Sequence, residues 1–340
     1  MLRPDRQGLR EAAALLRAGR LVVFPTETVY GLGANALDAA AVGRIFEAKG
    51  RPADDPLIVH LADAAGLTDV AQANQVADEL AARFWPGPLT LVLPRQPSVP
   101  FEVTAGLDTV GVRVPAHPVA RELLHAAGVP VAAPSANLFG RPSPTRAEHV
   151  LEDLRGRVDA VLDAGPTPVG VESTIVDLSG PRPRLLRPGG VPAEAIEQVL
   201  ELRLDPPPRA GIDPGPQPSP GLLSTHYAPR TPLVLIVGET NSAQERFRAE
   251  LLDALRLGYR AGALLLDEDA QLAPPGIALH PLGAFDDAET IAARLFDALR
   301  ALDRAGLDRI YVRQLADPTS GLGRALADRL RRAAAVVIEA

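Results

Sequence analysis

The chain has no cysteine in 340 residues. That absence removes disulfide frameworks, thiolate zinc sites and cysteine nucleophiles together, while leaving the redox compartment open. Lysine is nearly absent too. Lys49, in the run Phe46-Glu-Ala-Lys-Gly-Arg-Pro52, is the single lysine, and every other basic side chain of the Lys/Arg class is arginine. In a composition so rich in Ala, Arg and Pro, arginine stands wherever either cation will serve. The surviving lysine therefore marks a position where a forked guanidinium would not serve, and a compact ammonium with three rotatable donors suits a phosphate oxygen or a developing anion.

Other features are missing as well. No apolar run approaches the ~18 residues of a membrane span, and the start, MLRPDRQ, lacks the apolar core of a signal peptide, so a cytoplasmic location is expected. A formal charge of −7 spread along the chain argues against a basic nucleic-acid module, so any RNA contact would have to be local. Lys49 follows Ala48 and precedes Gly50, so there is no Gly-Lys-Ser/Thr phosphate loop, and no GxSxG nucleophile turn occurs. Gly31-Leu-Gly-Ala-Asn-Ala36 has the GxGxxG/A form of a dinucleotide fingerprint. It is a weak match, because six residues separate it from the end of the strand it should follow directly.

What is present divides the chain into two domains joined by a linker. Apolar residues make up 46% of the composition, enough for two cores at this length. Residues 205–232, DPPPRAGIDPGPQPSPGLLSTHYAPRTP, contain nine prolines and no periodic apolar face, and predict a semi-stiff extended linker. Beyond it, β-rich runs at 233–237, 263–266, 309–312 and 336–338 alternate with helical patterns at 243–257, 288–305 and near 325–334. That alternation predicts a small Rossmann-like domain with a parallel sheet over 233–340. Before the linker, over 1–204, strand candidates lie at 21–24, 57–61, 89–93, 110–114, 131–133, 160–162, 174–178 and 184–186. With helices near 8–17, 39–47, 75–84, 118–127 and 146–151, they predict an α/β domain around one large, twisted mixed sheet.

Polar motifs sit between these elements, where backbone is free to line a cleft. After the first strand comes Pro25-Thr-Glu-Thr-Val-Tyr-Gly-Leu-Gly33, read as a polar turn with three hydroxyls and a carboxylate. Lys49 and Arg51 bracket a glycine at a helix end, two cations suited to a polyphosphate, and His60 closes the next strand. Asp54 and Asp55 between them could hold magnesium but read better as a solvated loop. Arg113 ends a strand among apolar residues, so its charge must meet a carboxylate or phosphate. Ala132-Ala-Pro-Ser-Ala-Asn137, Arg141-Pro-Ser-Pro-Thr145, Gly170-Val-Glu-Ser-Thr174 and Leu185-Leu-Arg-Pro-Gly-Gly190 add small donors and a further arginine.

Together PTETVYGLGANA, KGRP with PLIVH, WPGPLTLVL, TAGLDTVGVRVPAHP, APSAN, RPSPT, GVESTIVD, LLRPGG and SPGLLSTHYAP resemble the long form of the threonylcarbamoyl-AMP synthase family. That form has a YrdC-like catalytic domain and a smaller C-terminal domain. The resemblance implies a nucleotidyltransferase that joins L-threonine, bicarbonate or CO2, and ATP, with Mg²⁺, into threonylcarbamoyl-adenylate and pyrophosphate. The product would feed a downstream tRNA threonylcarbamoyl transferase acting on the adenosine beside the anticodon. Carried over by motif, Thr28, His60, Arg113 and Ser173 would grip threonine. Lys49, Arg51, Asp55, Thr109, Ser135, Asn137, Ser143 and Arg187 would line the ATP side, with Lys49 and Arg51 nearest the chemistry. Tyr227 would close over the nucleotide. The chain departs from the family at Asp55, where asparagine is usual, and at Thr225, where lysine is common. A carboxylate at Asp55 would repel phosphate unless it binds Mg²⁺ or turns outward. The rival readings are an RNA-binding protein using a concave cleft and a carbamoyl-transfer enzyme with another acceptor. The first predicts steep salt dependence without ATP consumption, and the second predicts turnover without threonine.

Overall fold

The structure, a computed structural model, describes residues 1–206, 217–221 and 226–340. Much of the linker expected over 205–232, including Thr225, lies outside the described residues. The chain divides into two compact units, residues 1–139 with 143–224, and residues 140–142 with 225–340.

The first unit is built on a mixed sheet of nine strands among the described residues. In chain order they are β1 (Val22–Pro25), β2 (Tyr30–Asn35), β3 (Ile58–His60), β4 (Leu89–Pro94), β5 (Thr109–Arg113), β6 (Val131–Ala132), β7 (Ala160–Val161), β8 (Thr174–Asp177) and β9 (Arg184–Arg187). Their order across the sheet is β7-β1-β2-β6-β3-β5-β4-β8-β9. Parallel pairs such as β3–β5 and β4–β8 alternate with antiparallel ones such as β1–β2 and β4–β5. The large mixed sheet foreseen from the sequence is therefore present.

One expectation fails inside it. The run after β1 is not a polar turn through Gly33: the turn covers only the hydroxyl-rich start, and Tyr30 opens β2, which pairs antiparallel with β1 through Val22 and Gly33. Two glycines disguise that strand, and one of them is required by close packing. A Cβ on Gly33 would lie 2.8 Å from both the Phe24 ring and a Val131 methyl, so only hydrogen fits between the neighbouring strands. Because Gly31 and Gly33 lie within a strand, the fingerprint match at 31–36 is coincidental.

Side-chain alternation then decides which face of the sheet becomes a cleft. Val59, Leu89, Leu91, Leu93, Val110 and Val112 join the main core with Ala41, Val42 and Ile45 of helix α2 (Ala39–Lys49). Their alternates Ile58 and Val92 form a small cluster with Ile175 and Leu186 on the opposite face. At the other end of the sheet, Val22, Phe24 and Val131 pack with helix α1 (Arg6–Arg17) and the helix Pro118–Ala127. In register with Ile58 and Val92, the same alternation turns His60, Thr90 and Arg113 to the thinly covered face. His60 pairs with Arg113 across β3 and β5.

The second unit holds a five-stranded sheet, β10 (Leu233–Val237), β11 (Ala261–Leu266), β12 (Ala278–Gly283), β13 (Arg309–Arg313) and β14 (Val336–Glu339), in the order β12-β11-β13-β10-β14. All its pairings are parallel, as a Rossmann-like pattern predicts. Strand β12 escaped sequence reading because it carries Pro281. Proline cannot donate to a ladder, but β12 lies at the sheet edge, where the missing donor is tolerated. The last helix begins at Gly321, earlier than the expected 325, and ends at Ala333.

Candidate active site

Helix α2 delivers the single lysine. Asp38 caps its start by accepting from the backbone N–H groups of Ala40 and Ala41, and Gly50 ends it in the left-handed conformation at φ 62°. Lys49 therefore sits in the last turn with its side chain 2% exposed. Its Nζ donates to the carbonyl oxygens of Ser135 and Asn137, each at 2.5 Å. Lysine thus clamps the APSAN loop to the end of α2, and the Phe139 N–H returns to the Lys49 carbonyl at 3.0 Å.

The turn after α2 folds around Arg51. Its Nε donates to the Asp55 carbonyl at 3.1 Å and its Nη2 to the Pro56 carbonyl at 2.8 Å, while Nη2 lies 2.9 Å from Asp55 Oδ1. This overturns half of the solvated-loop reading: Asp54 is exposed, but the Asp55 side chain turns inward and the residue is 1% exposed. Burial pushes the Asp55 carboxyl above its ordinary range, against the opposing pull of Arg51 and Lys49 and, more weakly, of Arg187.

On the cleft face, Arg113 meets the partner that its charge demands. Nη2 lies 2.5 Å from Glu27 Oε1, Nη1 donates to Thr28 Oγ1 at 3.0 Å, and Nε donates to the Gly87 carbonyl at 3.2 Å. Glu27 is held in turn by the Ala116 N–H on Oε2 at 3.0 Å, and Thr28 shares a 2.8 Å hydrogen bond with Thr26. Beside them His60 places Nδ1 3.1 Å from the Ile58 carbonyl and presents its ring edge-on to Phe24. Burial first, and the Arg113 charge second, lower the His60 pKa to about 3, so its imidazole is neutral throughout the physiological range.

That shift has a consequence for stability. The unfolded chain binds a proton at His60 below its ordinary pKa of 6.5, whereas the native protein does not until about pH 3. Stability is therefore intact above pH 6.5 and falls as the pH drops below it, by up to about 1.4 kcal/mol per pH unit from this group. Urea unfolding of the native chain and His60→Gln between pH 7 and 4.5 should give a steeper decline for the native chain. Parallel declines would contradict a neutral, buried His60.

A third cluster centres on Ser173. Its Oγ is 2.8 Å from Thr90 Oγ1, and Arg187 Nη2 reaches both its carbonyl, at 3.1 Å, and its Oγ, at 3.2 Å. Gly189 makes this approach feasible, since a Cβ there would lie 2.3 Å from the Glu172 carbonyl oxygen. Arg187 Nη1 also donates to the Pro220 carbonyl at 3.2 Å. With Ser219 that segment covers a narrow pocket on the sheet face, lined also by Pro56, Ile58, Thr90 and Thr109. Ser143 donates a short hydrogen bond to Glu172, next in sequence to Ser173. Backbone bonds from Val169 to the Glu27 carbonyl and from Gly170 to the Thr28 carbonyl tie this loop to the Arg113 cluster.

The structure therefore brings Thr28, His60, Arg113, Ser173, Arg187 and Ser143 into one connected network, with Lys49, Arg51, Asp55, Ser135 and Asn137 grouped at the end of α2. Tyr227 is placed in the second unit, where its ring stacks on Phe296 at 5.7 Å with the Arg329 guanidinium 5.1 Å from its centre. Sequence reasoning passed over Glu27, Thr90 and Glu172 as site residues. Thr90 carried a usable signal, a lone hydroxyl among the apolar residues of a strand, whereas the partners of Glu27 and Glu172 are 86 and 29 residues away and were not visible.

Comparison with known proteins bears on the same residues. A family model described as "Telomere recombination" (Sua5_yciO_yrdC) matches residues 14–189, and one described as "Threonylcarbamoyl-AMP synthase, C-terminal domain" matches residues 191–335. The threonylcarbamoyl-AMP synthase of Bacillus subtilis is 46% identical over 330 residues, spanning 96% of this chain and 92% of its own length. The chain belongs to the threonylcarbamoyl-AMP synthase family. The crystal structure of Pyrococcus abyssi Sua5 complexed with L-threonine superposes with a TM-score of 0.92 at 43% identity, covering 100% of this chain and 98% of its own. The fold is accordingly that of a two-domain Sua5 protein, in which the YrdC-like part carries the network described above.

Proposed function

We propose that the protein makes threonylcarbamoyl-AMP and pyrophosphate from L-threonine, CO2 supplied by bicarbonate, and ATP. One observation carries this reading beyond family membership: the loop that carries Ser173, whose hydroxyl takes a hydrogen bond from Arg187, is tied through the Val169 and Gly170 N–H groups to the Glu27 and Thr28 carbonyls, so the Arg113 and Arg187 guanidinium groups are held at neighbouring clusters. Two substrates of different charge pattern can then be held side by side.

In this reading Arg113 takes the carboxylate of threonine, with Thr28 and Ser173 on its polar atoms and neutral His60 beside them. The neutral amine of threonine attacks CO2, forming the C–N bond of a carbamate and losing its proton. A carbamate oxygen then attacks the α-phosphorus of ATP, the bond from that phosphorus to the bridging oxygen breaks, and pyrophosphate departs with the electron pair. Lys49, Arg51 and Arg187 supply positive charge on the ATP side, and Thr109, Ser135, Asn137 and Ser143 supply neutral polar groups. Positioning and preorganised charge are sufficient for such a step. Mg²⁺ enters on the phosphates as Mg·ATP, in keeping with a hard cation that retains most of its water. The product is a mixed carbamic–phosphoric anhydride, and its proposed consumer is a transferase that acylates adenosine beside the anticodon of tRNA.

The test is pyrophosphate release from Mg·ATP with L-threonine and bicarbonate each present or omitted. Release that requires both is the expected result. Release without threonine would favour carbamoyl transfer to another acceptor, and no release from folded protein would overturn the assignment.

A further inference from the structure

Asp55 is the inward carboxylate of the α2 cluster, and its placement is costly. It is 1% exposed, and neither of its oxygens has a hydrogen-bond donor among the described residues, although Oδ1 lies 2.9 Å from Arg51 Nη2. A buried carboxylate normally accepts several hydrogen bonds, and one held by charge alone is a poor end state. Nor can it swing away easily. Arg51 grips the backbone on both sides of the peptide that follows it, through the Asp55 and Pro56 carbonyls, so the side chain is anchored facing inward.

The charged groups that face it are Arg51 from the turn, Lys49 from the end of α2, Arg187 from β9 and its exposed neighbour Asp54. Without nucleotide, the buried carboxylate offsets part of the charge of these three cations. Resting on the reading that ATP's phosphates bind to these same cations, we propose that Asp55 is an internal counter-anion whose negative charge must be neutralised by a proton when ATP binds. The cations cannot fully compensate both the phosphates and a carboxylate fixed among them, and protonation also gives Asp55 a donor that can bond a phosphate oxygen. Burial already biases this carboxyl toward its protonated form.

The sign of the effect follows. Protonation favours the nucleotide-bound state, so affinity for ATP falls by up to tenfold per pH unit as the pH rises from the Asp55 pKa of the free protein to that of the complex. Below and above that window affinity is flat with respect to this group.

The experiment is calorimetric titration of the non-hydrolysable analogue α,β-methylene-ATP with Mg²⁺, in two buffers of different ionisation enthalpy, between pH 6 and 8. The native protein alone supplies the proton count, and Asp55→Asn, an isosteric change whose fold is checked by thermal melting, cancels protons taken up by the nucleotide itself. The expected result is up to one more proton bound per nucleotide by the native protein than by Asp55→Asn, with at least about tenfold tighter binding by Asp55→Asn at pH 8. Equal proton counts and parallel pH dependences, with nucleotide still bound, would overturn the proposal and leave the ATP site intact. An affinity gap that closes with added free Mg²⁺ and no extra proton would overturn it in favour of a metal ion at Asp55. Absence of nucleotide binding in both proteins would instead overturn the ATP-site reading on which the proposal rests.

Discussion

Lys49→Arg is expected to lose most of the adenylate-forming activity, by about 100-fold or more in kcat/KM for ATP, in a protein that still folds. The reason lies in the two carbonyl oxygens, of Ser135 and Asn137, that the ammonium of Lys49, a residue 2% exposed to solvent, contacts at 2.5 Å. A tetrahedral ammonium can direct two protons onto carbonyls two residues apart, whereas a planar guanidinium is longer and spreads its donors in a fixed fork. To fit one, the end of α2 and the 135–137 loop must separate. That loop carries Ser135 and Asn137, both assigned to the ATP side, and a displacement of about 1 Å in such groups costs on the order of 100-fold. The core of α2 (Ala41, Val42, Ile45) is untouched, so the thermal midpoint should move by only a few degrees. Pyrophosphate release and a melting curve on the same preparation decide the matter. Near-native turnover by a well-folded Lys49→Arg would show that the scarcity of lysine carried no information.

How much of this was legible beforehand can be judged from particular residues. Alternating and helical periodicity located β3, β4, β5, β8 and α2, and with them the strand ends and helix end that hold His60, Arg113 and Lys49. Arg113 was legible as a buried charge in need of a partner, because a guanidinium drawn into an apolar strand loses its water and must be compensated by an anion and by acceptors. What was not legible was the partner. Glu27 meets it from a turn 86 positions earlier, brought near by strand order in the sheet, and no local pattern encodes that pairing. Asp55 failed for a related reason: an Asp-Asp pair before proline reads as solvated loop. Its inward turn depends on Arg51 wrapping two backbone carbonyls, which is visible only in three dimensions. Strand β2 was hidden by its glycines, one of which, Gly33, allows the close approach of Phe24 and Val131. In each case local propensity was overridden by a contact that the chain makes only once folded.

The threonine side offers the second large effect. Arg113→Lys is expected to lower kcat/KM for threonine by about 10³-fold, which corresponds to about 4 kcal/mol, while KM for ATP changes little. Arg113 sends Nε to the Gly87 carbonyl, Nη1 to Thr28 and Nη2 to Glu27, three partners in three directions, and a single ammonium cannot reproduce that fork. Loss of the fork frees Thr28 and removes the bidentate match to a substrate carboxylate. Catalysis and stability can be separated at this residue. Arg113→Met leaves the Glu27 carboxylate, whose side chain is 8% exposed, buried without its cation, a change that costs about 3–5 kcal/mol. Adding Glu27→Gln removes the stranded charge, so the double variant should recover most of that stability yet remain inactive with threonine. Recovered stability with activity no lower than that of Arg113→Met alone is the pattern expected if Glu27 acts on threonine only by positioning Arg113 and Arg113 binds the substrate. Recovery of activity with recovery of stability would mean that Arg113 serves only the fold, and the carboxylate of threonine would have to be sought elsewhere on the cleft face.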